Sequence, residues 1–484
     1  MQNNTKSLEF WKKYGQHLLI AMPYADGLIQ EANGCFFKDL DGNETLDLAA
    51  GQFCSILGHS HPKFIEKIVE QMRRVVHTGS QFLSPVVLEA ASKFAEIAPG
   101  QLNRSMIFST GTEANECAIS IAKTYTKRNG VVGFNRGYYG LSLTTKSLTS
   151  IFGSRSGDGP SVPESYRLLA PYCFRCPVNS HFPECDLLCL RSSIQASIPN
   201  ADSIAAVIVE PILSAGGMIT PPSGYLKALK EFVNAHGALL IVDEAQTGFG
   251  RTGKWFGVEH HGVQPDILVI SKGAGGGMPV SGFITTDEIA DKVQSQGYSH
   301  LASHQLDPLS GATLSALIDI VTEEGLVENA GKVGAFFKGR LKELQAKHSV
   351  VIDVRGEGLM LGMEIGDDSG GGRSAAQLTL AIVALCKQKG VHLTYTYFEP
   401  VLRIIPPLTI TPKEIDFASK VLDEALTEVI RKDISPETML PKNRFSRAYV
   451  ETQAGKWTFG RVISKLYETS PERWMKKIGE TISE

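Results

Sequence analysis

No stretch of this 484-residue chain reaches the roughly 20 consecutive apolar residues that span a bilayer, so a membrane protein is not expected. Excess charge of one sign is missing as well: 48 Lys plus Arg face 51 Asp plus Glu, a net charge of -3. That balance removes the basic field with which a dedicated nucleic-acid binder neutralises phosphates. The opening ten residues, MQNNTKSLEF, lack the charged-then-apolar order of a leader, and a soluble, cytoplasmic protein is expected. Internal repeats and extended low-complexity tracts are absent. Cysteine is sparse, and four of the eight (Cys35, Cys54, Cys117, Cys386) lie singly in apolar surroundings, as buried thiols do in a reducing compartment. The other four, Cys173, Cys176, Cys185 and Cys189, form C-x2-C-x8-C-x3-C with His181 inside. Their number suits zinc, whereas the spacing is not that of a standard finger, so zinc and buried or paired thiols both stay open.

What the chain does have is 43% apolar residues, enough for a large core and two or three domains, which excludes global disorder. Short β-branched runs alternate with helical-period segments: 205–209, the helix 225–235, 238–242 and 267–270. Strand, helix, strand in that order predicts a parallel α/β sheet. Tyr225, Leu226, Leu229, Phe232 and Val233 recur at helical spacing and are assigned to core, with Gly237 as the stop. A second pattern begins after about Ser315: one amphipathic helical stretch through Leu344, the strand-like VIDVRGEGLMLGMEI, the loop GDDSGGGRS, a helix and a strand at 401–405. The expected division is a large domain at 61–315, a smaller α+β domain at 316–430 joined by segment 1–60, and an appended mixed-charge tail at 431–484. That tail, with Trp457 and Trp474, is read as a packing extension against a partner subunit, with a binding module as the alternative.

Chemistry concentrates at predicted strand ends. Asp243 closes ALLIVDEAQTG and Lys272 closes PDILVISKG. Ligands of an open parallel sheet bind beyond the carboxyl ends of its strands, so an acid and an amine emerging there share one crevice. A buried salt bridge is the structural alternative. A third element favours a site: FSTGTEANE, a strand, a small-residue turn and a helix start, presents Gly111 and Thr112 as an anion cradle. Cradle, carboxylate and lysine together are the parts that pyridoxal phosphate requires: an amine to bond its aldehyde, an acid to keep its pyridine nitrogen protonated, and an anchor for its phosphate.

Over about residues 10–430 the chain resembles the class III, or ω-, pyridoxal-phosphate aminotransferases. The stretches that carry the resemblance are LGHSHP, STGTEANE, EPILSAGG, LIVDEAQTGFGRTG, PDILVISKGAGGGMP, VRGEGLMLG and LRIIPPLT. The resemblance implies fold type I, with a mostly parallel seven-stranded sheet in the large domain and a smaller α+β domain. It implies Lys272 as the lysine that bonds the cofactor, Asp243 at the pyridine nitrogen, Gln246 near the phenolic oxygen and Tyr138 stacked on the ring. Thr110, Gly111, Thr112 and Glu210 complete the cofactor-binding set. It also implies a homodimer or dimer of dimers, with Ser303 reaching the neighbouring subunit's phosphate.

Within that family the chain resembles the 2,2-dialkylglycine decarboxylases, through Gln52 in AGQFCSILGHSHP and Arg403 in LRIIPPLT. The bond that breaks at Cα must stand perpendicular to the cofactor plane. A Gln52 amide holding a carboxylate there favours decarboxylation, while Arg403 binds a carboxylate in the plane through a bidentate pair and Glu210 competes for that arginine when no carboxylate is present. Four positions depart from the decarboxylase pattern: Tyr138 replaces Trp, Tyr139 replaces His, Phe53 replaces Met and Ala215 replaces a Ser that contacts the carboxylate. The resemblance further implies a K+ or Na+ site at Thr78, Ser80, Ser303, Gln305 and Asp307, hard oxygen ligands with one carboxylate; Asp307 capping a turn before Pro308 is the alternative. The expected activity is transfer of an amino group from a small-molecule donor to a keto acid, coupled to decarboxylation. A non-decarboxylating aminotransferase, a racemase or epimerase, and a cofactor-binding scaffold with a retired site are the competing readings.

Overall fold

The computed structural model describes residues 4–150, 161–368, 372–396, 399–431, 441–444 and 446–447. Near the N-terminus lie β1 (Ile29–Asn33), β2 (Phe36–Asp39) and β3 (Glu44–Asp47). The middle holds β4 (Leu102–Phe108), β5 (Gly130–Phe134), β6 (Ser165–Leu168), β7 (Ile204–Val209), β8 (Leu239–Asp243), β9 (Ile267–Ile270) and β10 (Ser281–Thr286). Towards the C-terminus come β11 (Val351–Glu357), β12 (Met360–Ile365), β13 (Val391–His392), β14 (Thr394–Tyr395) and β15 (Val401–Ile404).

The seven middle strands form one sheet in the order β4-β10-β9-β8-β7-β5-β6, parallel except for β10, which runs antiparallel to both neighbours. The expected mostly parallel seven-stranded sheet of fold type I is therefore present. Its central strands read as unbroken apolar runs because both faces are covered. Period-two alternation sends Val207, Val209, Leu240, Val242, Leu268 and Ile270 into one core cluster, and Ala206, Ile208, Ile241, Ile267 and Val269 into another. Each such side chain contributes roughly 1.5–3 kcal/mol by leaving water.

Two four-stranded sheets lie outside the large one: β1-β2-β3-β13, in which β13 pairs parallel to β3, and the antiparallel β11-β12-β15-β14. Strand β13 comes from far along the chain and ties the N-terminal segment to the C-terminal region. The single helical stretch expected from 315 to 344 is instead two helices, Pro308–Glu323 and Leu326–Lys347. They break at Gly325, whose φ of +60° needs the left-handed region. The first is apolar nearly all round and packs against helices Pro62–Arg74 and Pro85–Ile97, so Ser315 lies in the middle of a buried helix. Most of the 431–484 tail, including Trp457 and Trp474, lies outside the described residues. Of the part described, Lys442 and Asn443 donate their backbone N–H groups to Asp26 at 2.7 and 2.8 Å. No helix among the described residues is long and apolar enough to cross a membrane.

Candidate active site

Six of the seven strands end at one edge of the large sheet, and five of them lead to the candidate residues. Strands β5, β7, β8 and β9 all end there, and two antiparallel steps make β4 end there too. Asp243 closes β8, and beyond the other ends lie Tyr138, Glu210, Lys272 and the Thr110–Gly111 turn. Topology alone thus gathers residues separated by up to 162 positions into the crevice at the carboxyl edge.

Asp243 is 4% exposed; its carboxylate accepts from Asn115 Nδ2 at 2.7 Å and from the backbone of Ala245 at 2.9 Å. Burial pushes its carboxyl above the ordinary range, against the opposing pull of Asn115 and the nearby Lys272 ammonium. The adjacent acid, Glu244, has a different task, accepting from the N–H groups of Gly257 and Val258 at 2.9 and 2.8 Å. Asn115 also donates to the carbonyl of Tyr139 at 2.8 Å, joining the helix Gly111–Thr126, the Tyr138 loop and Asp243. Asn115 is not among the expected site residues, although it stands four residues after Gly111, one turn along the same helix and inside STGTEANE.

Lys272 follows an extended Ser271 and takes φ +42°, an uncommon conformation for a lysine and a local strain at the crevice. A Cβ on Gly111 would lie 2.8 Å from Ser271 Oγ, so the glycine allows the cradle turn to approach the lysine-bearing segment. Thr112 does not project freely: its hydroxyl bonds those of Ser142 and Thr145 at 2.5 and 3.0 Å, and Glu116 accepts from the N–H groups of Thr144 and Thr145. The second hydroxyl loop was not visible in sequence because it lies 30 residues away.

Arg403, on β15, is 3% exposed. It donates to Ser214 Oγ and Gln246 Oε1, both at 2.7 Å, and its guanidinium stands 4.2 Å from the Phe53 ring centroid. The expected competition with Glu210 takes another form. Glu210 accepts from the backbone of Tyr138 at 2.9 Å and of Ser214 at 3.4 Å, so Ser214 bridges the two through its backbone and its hydroxyl. Phe53 and Gln52 belong to a left-handed turn in which Ala50, Gly51, Gln52 and Phe53 have φ from +44° to +72°. Such backbone costs roughly 1 kcal/mol or more per non-glycine residue. Asp47 locks it by accepting from Ala49 N and Gly51 N, at 2.9 and 2.7 Å, and pairing with His59 at 2.9 Å.

Burial, and then the charge of Asp243, raise the Glu210 carboxyl from 4.5 to about 8. The folded, cofactor-free chain keeps a proton there that the unfolded chain releases near 4.5. Its contribution to stability is therefore whole below 4.5 and is lost as pH rises to about 8. Glu210→Gln is expected to flatten part of that fall in thermal unfolding of the cofactor-free protein. Glu244 is displaced the same way, so the difference between variant and wild type is the readout; identical slopes would contradict the shift.

The alkali-metal set is arranged differently from the expectation. The Asp307 carboxylate lies between two imidazoles, His77 Nδ1 at 2.5 Å and His304 Nδ1 at 2.6 Å, and neither histidine was in the expected set. Thr78 Oγ1 donates to the carbonyl of Phe82 at 2.9 Å, and Gln305 Oε1 accepts from Ala302 N at 3.1 Å. The one carboxylate of that set thus already bonds two imidazoles, one through each oxygen.

The family model for class III aminotransferases matches residues 21–426. The chain belongs to the class III aminotransferase family. It is 37% identical over 427 residues to an uncharacterized aminotransferase of Schizosaccharomyces pombe, covering 86% of this chain and 94% of that one. It is 31% identical over 423 residues to a leucine/methionine racemase of Thermococcus litoralis, again 86% and 94%. Among solved structures, an (S)-enantioselective ω-transaminase from Thermomicrobium roseum superposes with a TM-score of 0.80 at 31% identity, covering 89% of this chain and all of that one. Pyridoxal phosphate is the cofactor of the family, and the donor set here suits it. Asp243 is a buried carboxylate whose charge is disfavoured until a cation stands beside it, as a protonated pyridine nitrogen would.

Proposed function

We propose that this class III enzyme releases CO2 from a 2,2-dialkylglycine-like amino acid and passes the amino group to a keto acid. Thr110, Gly111 and Thr112 would hold the phosphate of pyridoxal phosphate, Tyr138 its ring, Asp243 its pyridine nitrogen, Gln246 its phenolic oxygen and Lys272 its aldehyde. When bound, the cofactor supplies an electron sink for the bond broken at Cα.

One observation supports an α-carboxylate substrate above all: Arg403 is a buried guanidinium on β15, oriented by Ser214 and by Gln246, the residue assigned to the cofactor's phenolic oxygen. Gln52 stands in the turn whose Phe53 ring lies under that guanidinium, and its amide makes no hydrogen bond among the described residues. The same loop continues to Ile56, which packs against Gly273 beside Lys272. In this reading Arg403 would anchor a carboxylate in the cofactor plane, Gln52 would hold one out of the plane, and Lys272 would carry the proton. Lys272 would deliver a proton where CO2 departs.

The test is 2-aminoisobutyrate, which has no Cα proton and cannot transaminate directly. Wild-type protein is expected to release CO2 from it in the presence of a keto acid. Gln52→Ala should lose about 10- to 100-fold of that rate, the scale of one hydrogen bond to a charged group, while keeping most of its half-reaction with alanine. No CO2 from any dialkylglycine, with ordinary amino acids or ω-amines still reacting, overturns the decarboxylase reading and leaves plain transamination. Likeness to the Thermococcus litoralis racemase supports a second reading, and turnover without any keto acid would favour it.

The working unit is proposed to be a dimer or dimer of dimers, with Ser303 serving the neighbouring subunit. Ser303 is exposed in the single chain, and Phe82, Leu83, Leu141, Leu143 and Leu301 are each more than half exposed, large apolar side chains of the kind a partner subunit covers. Sedimentation should show a dimer or larger at assay concentration; an active monomer would refute shared sites.

A further inference from the structure

We infer that His77, His304 and Asp307 bind one first-row divalent cation of the zinc type, at a site none of whose ligands enters the chemistry proposed above. Among the described residues, this is the one group of three or more His, Cys, Asp or Glu side chains whose ligand atoms all lie within 4.8 Å of one another. The four cysteines of the 173–189 loop do not meet that spacing. His77 Nδ1 lies 2.5 Å from one oxygen of Asp307 and His304 Nδ1 lies 2.6 Å from the other, with the ring centroids 4.9 Å apart. Ligands from two loops, 230 positions apart along the chain, thus face a common centre.

The set has a rigid part and an adaptable part. Asp307 is 7% exposed and immediately precedes the helix Pro308–Glu323, which packs against the two helices that flank the His77 loop. Leu306 donates its backbone N–H to the carbonyl of Ile107 at 2.9 Å and so fixes the same segment on β4. An aspartate at a helix N-cap ordinarily accepts from N–H groups of the first turn, and Asp307 does not. Its carboxylate is turned to the imidazoles instead. Those rings are the adaptable part: the side chains of His77 and His304 are 42% and 65% exposed, so they can rotate about a bound ion without disturbing the core.

Donor type decides the metal. Two imidazole nitrogens and one carboxylate oxygen suit zinc, cobalt, nickel or copper, whereas K+ or Na+ needs a shell of hard oxygens. Of the oxygens expected for an alkali ion, Thr78 Oγ1 is committed to Phe82 and Gln305 Oε1 to Ala302. Without the ion, a proton on each Nδ1 bridges to the carboxylate. On binding, each Nδ1 lone pair bonds the ion and that proton passes through solvent to Nε2, so both rings stay neutral and no electron is transferred. Zn–N of about 2.0–2.1 Å spreads the ligand atoms to roughly 3.3 Å apart, and one water completes a tetrahedron. The ion ties the loop after helix Pro62–Arg74 to the segment that carries Ser303.

The experiment uses the full-length holoenzyme, freed of metal by a chelator and titrated with zinc(II) by calorimetry and with cobalt(II) by absorbance. One ion per chain is expected, with the cobalt d–d bands of nitrogen and oxygen ligands and no displacement by K+ or Na+ in large excess. His77→Ala and His304→Ala should each weaken binding about tenfold or more, since even a partner one shell further out is worth that much, and the double variant should lose the d–d bands. Zinc should raise the unfolding temperature of wild type and not that of the double variant, while the metal-free forms unfold alike because both histidines are surface residues. Wild-type protein that binds no cobalt overturns the proposal. So does a cobalt spectrum that survives in the double variant or carries a thiolate-to-metal charge-transfer band, which would place the ion at the cysteines, and so does displacement by K+ or Na+, which would make this an alkali-ion site.

Discussion

Lys272→Ala protein is expected to lose the visible absorbance of lysine-bound pyridoxal phosphate on dialysis, and its turnover is expected to fall by about 10⁴-fold or more. One amine is asked to do two things, to bond the cofactor covalently and to carry the proton at Cα, and a positioned proton carrier alone is worth up to roughly 10⁴. Its position follows from the sheet. Strand β9 delivers Ser271 and Lys272 to the edge where β8, its parallel neighbour, delivers Asp243. Alanine keeps the Cβ at a residue with φ +42°, so the backbone demand is unchanged and thermal unfolding of the cofactor-free variant should match wild type. A borohydride-reducible bond between the variant and the cofactor would show that another lysine has the role.

Asp243→Asn should keep the cofactor bound while slowing Cα chemistry by about 10³-fold, the scale of removing one preorganised group from a buried site. An ionised Asp243 and a protonated pyridine nitrogen each favour the other's charge, and an amide cannot return that favour. Two N–H donors already point at the carboxylate, from Asn115 and Ala245. The NH2 half of the substituted amide would therefore meet a donor, so a modest loss of stability should accompany the kinetic effect. Wild-type rates with a fully occupied site would remove Asp243 from the role. A fall in cofactor affinity equal to the fall in rate would make it an anchor and not an electronic partner.

Much of this was visible in the chain itself, for identifiable reasons. Residues 205–209, 238–242 and 267–270 are apolar without alternation, which only a strand covered on both faces tolerates, and β7, β8 and β9 lie there with their acid and amine at the carboxyl ends. The helix break at Gly325 was harder to read, since both flanking helices keep an apolar period and a lone glycine does not by itself mark a stop. Asn115 was overlooked because a polar residue on a helix is ordinarily solvated, and only the approach of β8 turns it towards Asp243. Glu210 and Arg403 were both singled out. That they meet through Ser214 rather than directly depends on the path of the loop after β7, which periodicity does not encode.

The sequence by itself determined the alternation of strand and helix, the chemistry of the strand ends and the family, because these rest on local residue order and on motifs contiguous in the chain. Tertiary structure alone decided which groups face one another. It gave Gln52 and Phe53 a left-handed turn locked by Asp47, placed Asp307 between His77 and His304, drew four thiols around one cavity, and oriented Arg403 by a serine 189 residues away. Hydrogen bonds and ion pairs act over about 3 Å in space, whatever the separation along the chain, so only the folded backbone can decide which of them form.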